Sequence, residues 1–124
     1  MDTRRVPVAD GVALAADVWP APGAASDAPT FVLVHGLASN ARLWDGVAAR
    51  LVDRGLPAVT VDLRGHGRSS KPDGPYDVPT VADDVAALIA GLGLARPVVA
   101  GQSWGGNVAV ELGARHPGDR KSVV

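Results

Sequence analysis

Ser103 is the residue whose surroundings point most directly to covalent chemistry. It lies at the centre of Gly101-Gln-Ser-Trp-Gly105, a match to the pattern G-x-S-x-G. A serine hydroxyl is a poor nucleophile at neutral pH, and it attacks a substrate only when a general base takes its proton. The chain contains 15 glycines among 124 residues, so the pattern alone is not specific. Its meaning depends on the elements that hold it.

A short apolar strand precedes Ser103 and a helix follows it. The sequence predicts the strand over Pro97–Ala100 and the helix over Trp104–Arg115, which ends before Pro117. This order is typical of a nucleophile elbow, in which the serine sits on a strained turn above a sheet. The alternative is that Ser103 only caps the helix, a role that suits serine well.

The predicted elbow would assist Ser103 through its backbone. The N-terminus of a helix favours negative charge, and the N–H group of Trp104 would be available to a developing oxyanion. Gly101, Gly105 and Gly106 fit this geometry, because side chains there are expected to collide with the neighbouring strand or helix.

The rest of the chain alternates between strands and helices. The predicted strands are Arg5–Ala9, Val12–Trp19, Thr30–Val34, Ala58–Val61 and Pro97–Ala100, and a last one begins near Lys121-Ser-Val-Val124. The predicted helices cover about residues 41–54, 80–90 and 104–115. Gly55 would end the first helix, and Thr80 would cap the second, with Asp83 as a capping-box variant.

This order predicts an α/β fold: a mostly parallel sheet with an N-terminal antiparallel hairpin and helices on both faces. The hairpin is indicated by Asp10-Gly11 between the first two strands. His35, Asp62 and Ser103 each follow a predicted strand. The carboxyl ends of parallel strands form the ligand-binding edge of such sheets, so we expect these three residues to converge.

Three motifs, each at the end of a strand, resemble those of the α/β-hydrolase superfamily in their order along the chain. They are Val34-His-Gly-Leu37, Asp62-Leu-Arg-Gly-His-Gly-Arg-Ser69 and Gly101-Gln-Ser-Trp-Gly-Gly106, and Trp44 fits the same pattern. The chain resembles the N-terminal portion of an esterase- or lipase-like member of this superfamily, with serine as the nucleophile. The resemblance therefore implies a truncated α/β-hydrolase fold.

The resemblance implies roles for individual residues. Ser103 would be the nucleophile, and the backbone N–H groups of Trp104 and Leu37 would form the oxyanion hole. Gly36 would keep its turn tight, while His35 would orient the loop as a buried histidine bonded to backbone. The implied substrate bond is a carboxylic ester, with amide, lactone and C–C bonds as alternatives. No cofactor and no metal are implied, since no cluster of side chains has ligand spacing.

The segment from Asp62 to Ser69 allows several interpretations. Gly65-x-Gly67 lacks the third glycine of a dinucleotide-binding turn and opens no helix, which argues against nucleotide binding. We expect instead a solvated loop that Asp62 and Arg64 tie to their neighbours. His66 is an alternative candidate for the general base. His116 precedes Pro117 at the far end of the last helix from Ser103, and we interpret it as structural.

The catalytic acid and histidine of the family follow the nucleophile in the sequence. No histidine follows His116, and the only acid after it is Asp119, at the wrong end of the helix. We therefore expect residues 1–124 to form a single domain, the N-terminal half of a hydrolase core ending at about the sixth strand, and to be inactive alone. The open edge of that last strand predicts self-association.

Composition limits the other classes of function. Hydrophobic residues make up 47% of the chain and charged residues 20%, as in ordinary globular proteins. The net charge of −1 provides no basic surface for nucleic acid, and the absence of cysteine removes disulfides and thiolate chemistry. The sequence predicts no membrane span and no leader, hence a cytoplasmic protein. The family resemblance implies a small-molecule, ester-like substrate. A non-catalytic binding module on the same sheet is the competing hypothesis.

Overall fold

A computed structural model describes residues 1–118 and 122–123 of the protein. Within these ranges the strands are Asp2–Ala9 (β1), Val12–Trp19 (β2), Phe31–Val34 (β3), Ala58–Val61 (β4), Val98–Gly101 (β5) and Ser122–Val123 (β6). The α-helices are Asp45–Asp53 (α1), Val78–Gly91 (α2) and Trp104–Arg115 (α3). A 3-10 turn over Ala41–Trp44 leads into α1.

The strands form one sheet in the order β1-β2-β4-β3-β5-β6. The pairs β1–β2 and β2–β4 are antiparallel, and β3 pairs in parallel with both β4 and β5. A tight turn at Asp10-Gly11 joins the hairpin, and Gly11 adopts a φ of +70°, which glycine tolerates without steric penalty. The predicted mostly parallel sheet with an antiparallel N-terminal hairpin is confirmed.

Helices cover both faces of the sheet, as predicted. Successive strand residues point to opposite faces. Val32 and Val34 of β3 pack in a large core with residues of α2 and α3, whereas Leu33 between them packs in a smaller core with Ala48 of α1. The larger core continues into the hairpin through Leu14, which is fully buried. Within the described ranges no helix is long and apolar enough to cross a membrane.

The start of α2 corrects the predicted cap. Helix α2 begins at Val78, its N-cap is Asp77, and the Asp77 carboxylate accepts hydrogen bonds from the N–H and the hydroxyl of Thr80. Pro79 occupies the first turn, where proline loses no intrahelical hydrogen bond. Thr80 is thus bound by the cap and does not form it. Asp83 takes no part in capping, since its carboxylate pairs with Arg115.

Other element boundaries differ from the predicted ones. Strand β1 begins at Asp2 instead of Arg5, since Asp2 pairs with Val18 of β2. The predicted helix over residues 41–54 is a 3-10 turn followed by α1, and Gly55 follows it with a φ of +78°. Strand β6 pairs in parallel with β5 over two residues. Asp119, Lys121 and Val124, which entered the predictions above, lie outside the described residues.

Candidate active site

Three strand ends meet at the carboxyl edge of the sheet. Val34, the last residue of β3, pairs with Val61 of β4 on one side and with Gly101 of β5 on the other. The loops that begin at His35, at Asp62 and at Gln102 therefore start side by side. The register of the sheet brings together the three motifs that are far apart in the sequence.

Ser103 sits on the turn between β5 and α3 in a strained conformation. Its φ and ψ are +58° and −124°, and a non-glycine residue with positive φ costs on the order of 1–3 kcal/mol. It occupies the N-cap position of α3, yet its side chain makes no capping hydrogen bond. The residue is exposed, and within the described part of the chain its hydroxyl has no hydrogen-bond partner. The capping interpretation of Ser103 is therefore wrong for its side chain.

Two glycines allow α3 to approach the sheet at this turn. A Cβ atom on Gly101 would lie 2.1 Å from the carbonyl oxygen of Gly105. A Cβ atom on Gly105 would lie 2.4 Å from the carbonyl oxygens of Val34 and His35. Because backbone atoms cannot rotate out of the way, neither position accepts a side chain without moving the helix. The collision expected at these two residues is confirmed.

Gly106 and Gly36 behave differently from that pair. A Cβ atom on Gly106 would meet nothing closer than 3.6 Å, so the collision predicted there is wrong. A Cβ atom on Gly36 would lie 3.2 Å from the carbonyl oxygen of Gln102 and 3.3 Å from Cβ of Ser103. The turn after β3 therefore lies directly against the elbow, and a Cβ atom at position 36 would require its neighbours to shift by a few tenths of an ångström.

The two N–H groups implied as oxyanion donors have no partner among the described residues. Trp104 is the first residue of α3, where an N–H group has no intrahelical acceptor. Leu37 follows Gly36 in the exposed turn after β3, and 62% of its surface is accessible. Leu37 thus follows Gly36 and Trp104 follows Ser103, and Gly36 and Ser103 are the residues through which the two turns meet.

His35 is buried and bonded to the backbone through both ring nitrogens. Its Nδ1 lies 2.6 Å from the carbonyl oxygen of Gly36, and its Nε2 lies 3.0 Å from the N–H nitrogen of Leu63. The Leu63 group must donate, so Nε2 is unprotonated and Nδ1 carries the hydrogen. Burial lowers the pKa of His35 below its usual value, and the nearby His66 acts in the same direction. The neutral ring therefore links the turn after β3 to the loop after β4.

His66 is also engaged at both ring nitrogens. Its Nε2 accepts a hydrogen bond from the N–H group of Ala38 at 3.1 Å, and its Nδ1 lies 2.9 Å from the carbonyl oxygen of Arg64. The geometry does not place His66 as the base for Ser103. His116 is the C-cap of α3, at the opposite end from Ser103, and its Nε2 lies 2.9 Å from a carboxylate oxygen of Asp83. No pattern in the sequence indicates the contact between His66 and Ala38.

Two buried carboxylates fix the loops around the site. Asp62 accepts from the N–H groups of Ala41 and Arg68 and from the Arg68 guanidinium. Asp17 on β2 accepts from Arg68, Thr3 and Arg42. Burial favours the protonated form of Asp17, but these hydrogen bonds prevail and hold its pKa at about 2. The same balance keeps the pKa of Asp62 below its usual value.

The loop after β4 is more buried than predicted. Asp62, Arg64 and Ser69 are nearly inaccessible, whereas Gly67 and Arg68 are exposed, so the loop is solvated only in part. Arg64 forms two hydrogen bonds with Asp84 of α2, at 2.5 and 2.7 Å, inside the protein. The expectation that Asp62 and Arg64 tie this loop to its neighbours is confirmed. The attachment through Arg64 is a buried ion pair.

Three clefts in the described part of the chain lie away from Ser103. A cavity of about 350 Å³ lies beyond the amino ends of β3 and β5, lined in part by Asp27, Thr30 and Arg96. That is the sheet edge opposite the three motifs. No group of three or more histidine, aspartate or glutamate side chains in residues 1–118 and 122–123 is arranged to hold a metal ion.

Comparisons with known proteins agree on one family. A family model for the alpha/beta hydrolase fold matches residues 29–124. The AB hydrolase superfamily protein YisY of Bacillus subtilis is 40% identical over 87 residues, which cover 70% of this chain and 32% of that protein. The bifunctional esterase/perhydrolase DCH of Acinetobacter calcoaceticus is 37% identical over 93 residues, covering 75% of this chain and 34% of that protein.

A solved structure extends the agreement to three dimensions. The structure of E-2-(acetamidomethylene)succinate hydrolase matches with a TM-score of 0.87 and 30% identity, over 98% of this chain and 42% of the other. The chain spans about a third of the length of the curated relatives described above. Its relatives include proteins named as hydrolases, and the predicted resemblance to the α/β-hydrolase superfamily is confirmed. The chain belongs to the alpha/beta hydrolase fold family.

Proposed function

We propose that this chain carries the nucleophile and the oxyanion hole of a serine hydrolase that cleaves carboxylic esters. The observation that carries the proposal is the setting of Ser103. Its exposed hydroxyl stands on a strained turn without a capping bond, and the Gly36 turn lies against it. Strain at a surface residue persists only where the surrounding structure enforces it, and such residues cluster at active sites.

The proposed reaction proceeds through an acyl-enzyme. Ser103 Oγ attacks the carbonyl carbon, a new C–O bond forms, and the π electron pair of the carbonyl moves onto its oxygen. The hydroxyl proton passes to a general base and then to the leaving alcohol as its bond to carbon breaks. Water repeats the sequence on the acyl-enzyme and releases the carboxylic acid. The N–H groups of Leu37 and Trp104 would stabilise the oxyanion, each by about 10²–10³ in rate.

The described histidines do not supply the general base. His35 and His66 each use both ring nitrogens for backbone groups, and His116 lies at the far end of α3. We therefore propose that residues 1–124 alone react with an acylating or phosphonylating reagent but do not turn over an ester. A base of the imidazole class, supplied from elsewhere, would complete the cycle.

A fluorophosphonate probe tests this proposal on the chain itself. The serine oxygen displaces fluoride from phosphorus, and the resulting bond is stable enough for mass spectrometry to locate it. We expect one adduct on Ser103, formed faster when imidazole is added as a base from solution. Ser103→Ala should abolish the adduct, whereas Ser26→Ala, at an exposed serine far from the elbow, should not change it. An adduct that forms equally in Ser103→Ala would contradict the proposal.

A non-catalytic binding module is the second candidate. It is favoured by the engagement of every ring nitrogen of His35 and His66 with backbone, which leaves Ser103 without a base among these side chains. The same experiment separates the two functions. Folded protein that gains no adduct on Ser103, even with imidazole, would support the binding module.

Three further expectations concern the substrate, the location and the oligomeric state. Membership of a hydrolase family indicates a small-molecule substrate. We expect a cytoplasmic location, which cell fractionation would test.

Strand β6 lies at one edge of the sheet and pairs with β5, so we propose self-association through that edge. Sedimentation at increasing protein concentration would detect it, and a constant monomer mass would contradict it.

A further inference from the structure

Two non-glycine residues with positive φ lie next to the two proposed oxyanion donors. Ala38 has a φ of +58° and follows Leu37, and Ser103 has the same φ and precedes Trp104. They are the only residues of this kind in the described chain. The left-handed conformation is unfavourable for alanine by about 1–2 kcal/mol, so other contacts must hold Ala38 in place.

The contact that holds Ala38 comes from His66. The N–H group of Ala38 donates to Nε2 of His66 at 3.1 Å. The His66 ring is oriented from its other side, where Nδ1 donates to the carbonyl oxygen of Arg64 at 2.9 Å. It also meets the His35 ring edge-on, with 4.8 Å between the ring centroids and 60° between the planes. His66 therefore accepts from Ala38 as a neutral ring whose position is fixed on two sides.

The two histidines bind the two peptide groups that flank Leu37. In a trans peptide the C=O and N–H bonds point in opposite directions. His35 donates to the carbonyl of Gly36, so the Leu37 N–H of the same peptide points away from His35. His66 binds the N–H of the next peptide, between Leu37 and Ala38. The direction of the Leu37 N–H is thus controlled from both neighbouring residues.

We propose that His66 is a positioning residue for the oxyanion hole, because its Nε2 holds the peptide after Leu37 in the orientation that the donor requires. This inference rests on the proposed function of Ser103 and Leu37. His66 touches no reacting atom. It acts through Ala38, so its loss should impair the stabilisation of the oxyanion while Ser103 and the fold remain.

Three variants of His66 separate its two hydrogen bonds. His66→Gln retains an acceptor near the position of Nε2, and His66→Asn retains a donor near Nδ1 that does not reach Ala38. His66→Ala loses both groups. We expect His66→Ala and His66→Asn to slow fluorophosphonate labelling of Ser103 by about 10- to 100-fold, a range typical of misplacement by 1 Å or less. His66→Gln should recover most of that loss, and His116→Gln, far from the elbow, should label normally.

Exchange of the Ala38 amide hydrogen, followed by NMR, provides a second readout that does not depend on reactivity. We expect this amide to exchange rapidly in His66→Ala and His66→Asn and slowly in wild type and His66→Gln. Thermal unfolding of each variant verifies the fold. Wild-type labelling in His66→Ala, or an Asn variant more reactive than the Gln variant, would overturn the inference. Absence of any Ser103 adduct in wild type would refute the proposed function instead, and amide exchange would still test the contact.

Discussion

Gly105 and Gly106 are adjacent in α3, yet we expect alanine at these positions to have opposite effects on stability. A Cβ atom at position 105 would lie 2.4 Å from two carbonyl oxygens at the end of β3. Ordinary contact begins at 3.4 Å, so α3 would have to retreat from the sheet by about 1 Å. At position 106 the nearest atom would be 3.6 Å away, which is an ordinary contact.

The magnitudes follow from this difference. Overpacking a well-packed interior costs about 1–3 kcal/mol, and a clash with rigid backbone belongs at the upper end of that range. For a domain of this size, a loss of about 3 kcal/mol lowers Tm by roughly 10 °C. Alanine at position 106 should instead stabilise α3 by up to about 1 kcal/mol, because it restricts the unfolded chain and favours the helix.

Urea denaturation and thermal unfolding of Gly105→Ala, Gly106→Ala and wild type measure both effects. Ser103 labelling of the two variants adds a functional readout, because a displaced α3 also displaces the elbow. We expect slow labelling in Gly105→Ala and near-normal labelling in Gly106→Ala. Equal stabilities for the two variants, or a Gly105→Ala protein as stable as wild type, would refute the packing argument.

Three further predictions concern aspartates that hold the helices and loops in place. Asp84→Asn leaves the buried Arg64 without its carboxylate, so the free energy of unfolding in urea should fall by about 3–5 kcal/mol. The control Asp83→Asn, in an exposed pair with Arg115, should lower it by less than about 1 kcal/mol. Equal losses in the two variants would show that burial is irrelevant. Asp77→Ala removes the cap of α2 and should cost about 0.5–2 kcal/mol in the same assay, whereas an unchanged midpoint would argue against the cap. The pKa of Asp17 is lowered to about 2 in the folded protein, so ionised Asp17 stabilises the fold fully above the unfolded pKa of 3.8 and loses this effect as the pH falls towards 2. The free energy of unfolding measured across that interval should fall less steeply in Asp17→Asn than in wild type. Parallel curves would contradict this role.

The fold could be predicted because its signals are local. Short apolar runs such as Phe31–Val34 and Ala58–Val61 mark strands buried on both faces, and the residues between them show helical spacing. The rule that ligands bind at the carboxyl ends of parallel strands then placed His35, Asp62 and Ser103 at one edge. The register of β3 with its two neighbours confirms that placement.

The contacts that hold the site could not be predicted in the same way. His66 meets Ala38 across 28 positions in the sequence, and Arg68 meets Asp17 across 51. Neither pair leaves a periodic pattern, since each depends on how two irregular loops lie against each other. The wrong prediction for the cap of α2 has a different reason. Thr80 is a good cap residue by type, but Asp77 with Pro79 in the first turn was the stronger local signal.

Structure determination of the phosphonylated protein tests the central claim most directly. The adduct mimics the tetrahedral intermediate, and its phosphoryl oxygen takes the place of the oxyanion. We predict a bond from Ser103 Oγ to phosphorus, with the phosphoryl oxygen about 2.7–3.1 Å from both the Leu37 and the Trp104 backbone nitrogens. An adduct on another residue, or a phosphoryl oxygen directed to solvent away from both nitrogens, would contradict the account.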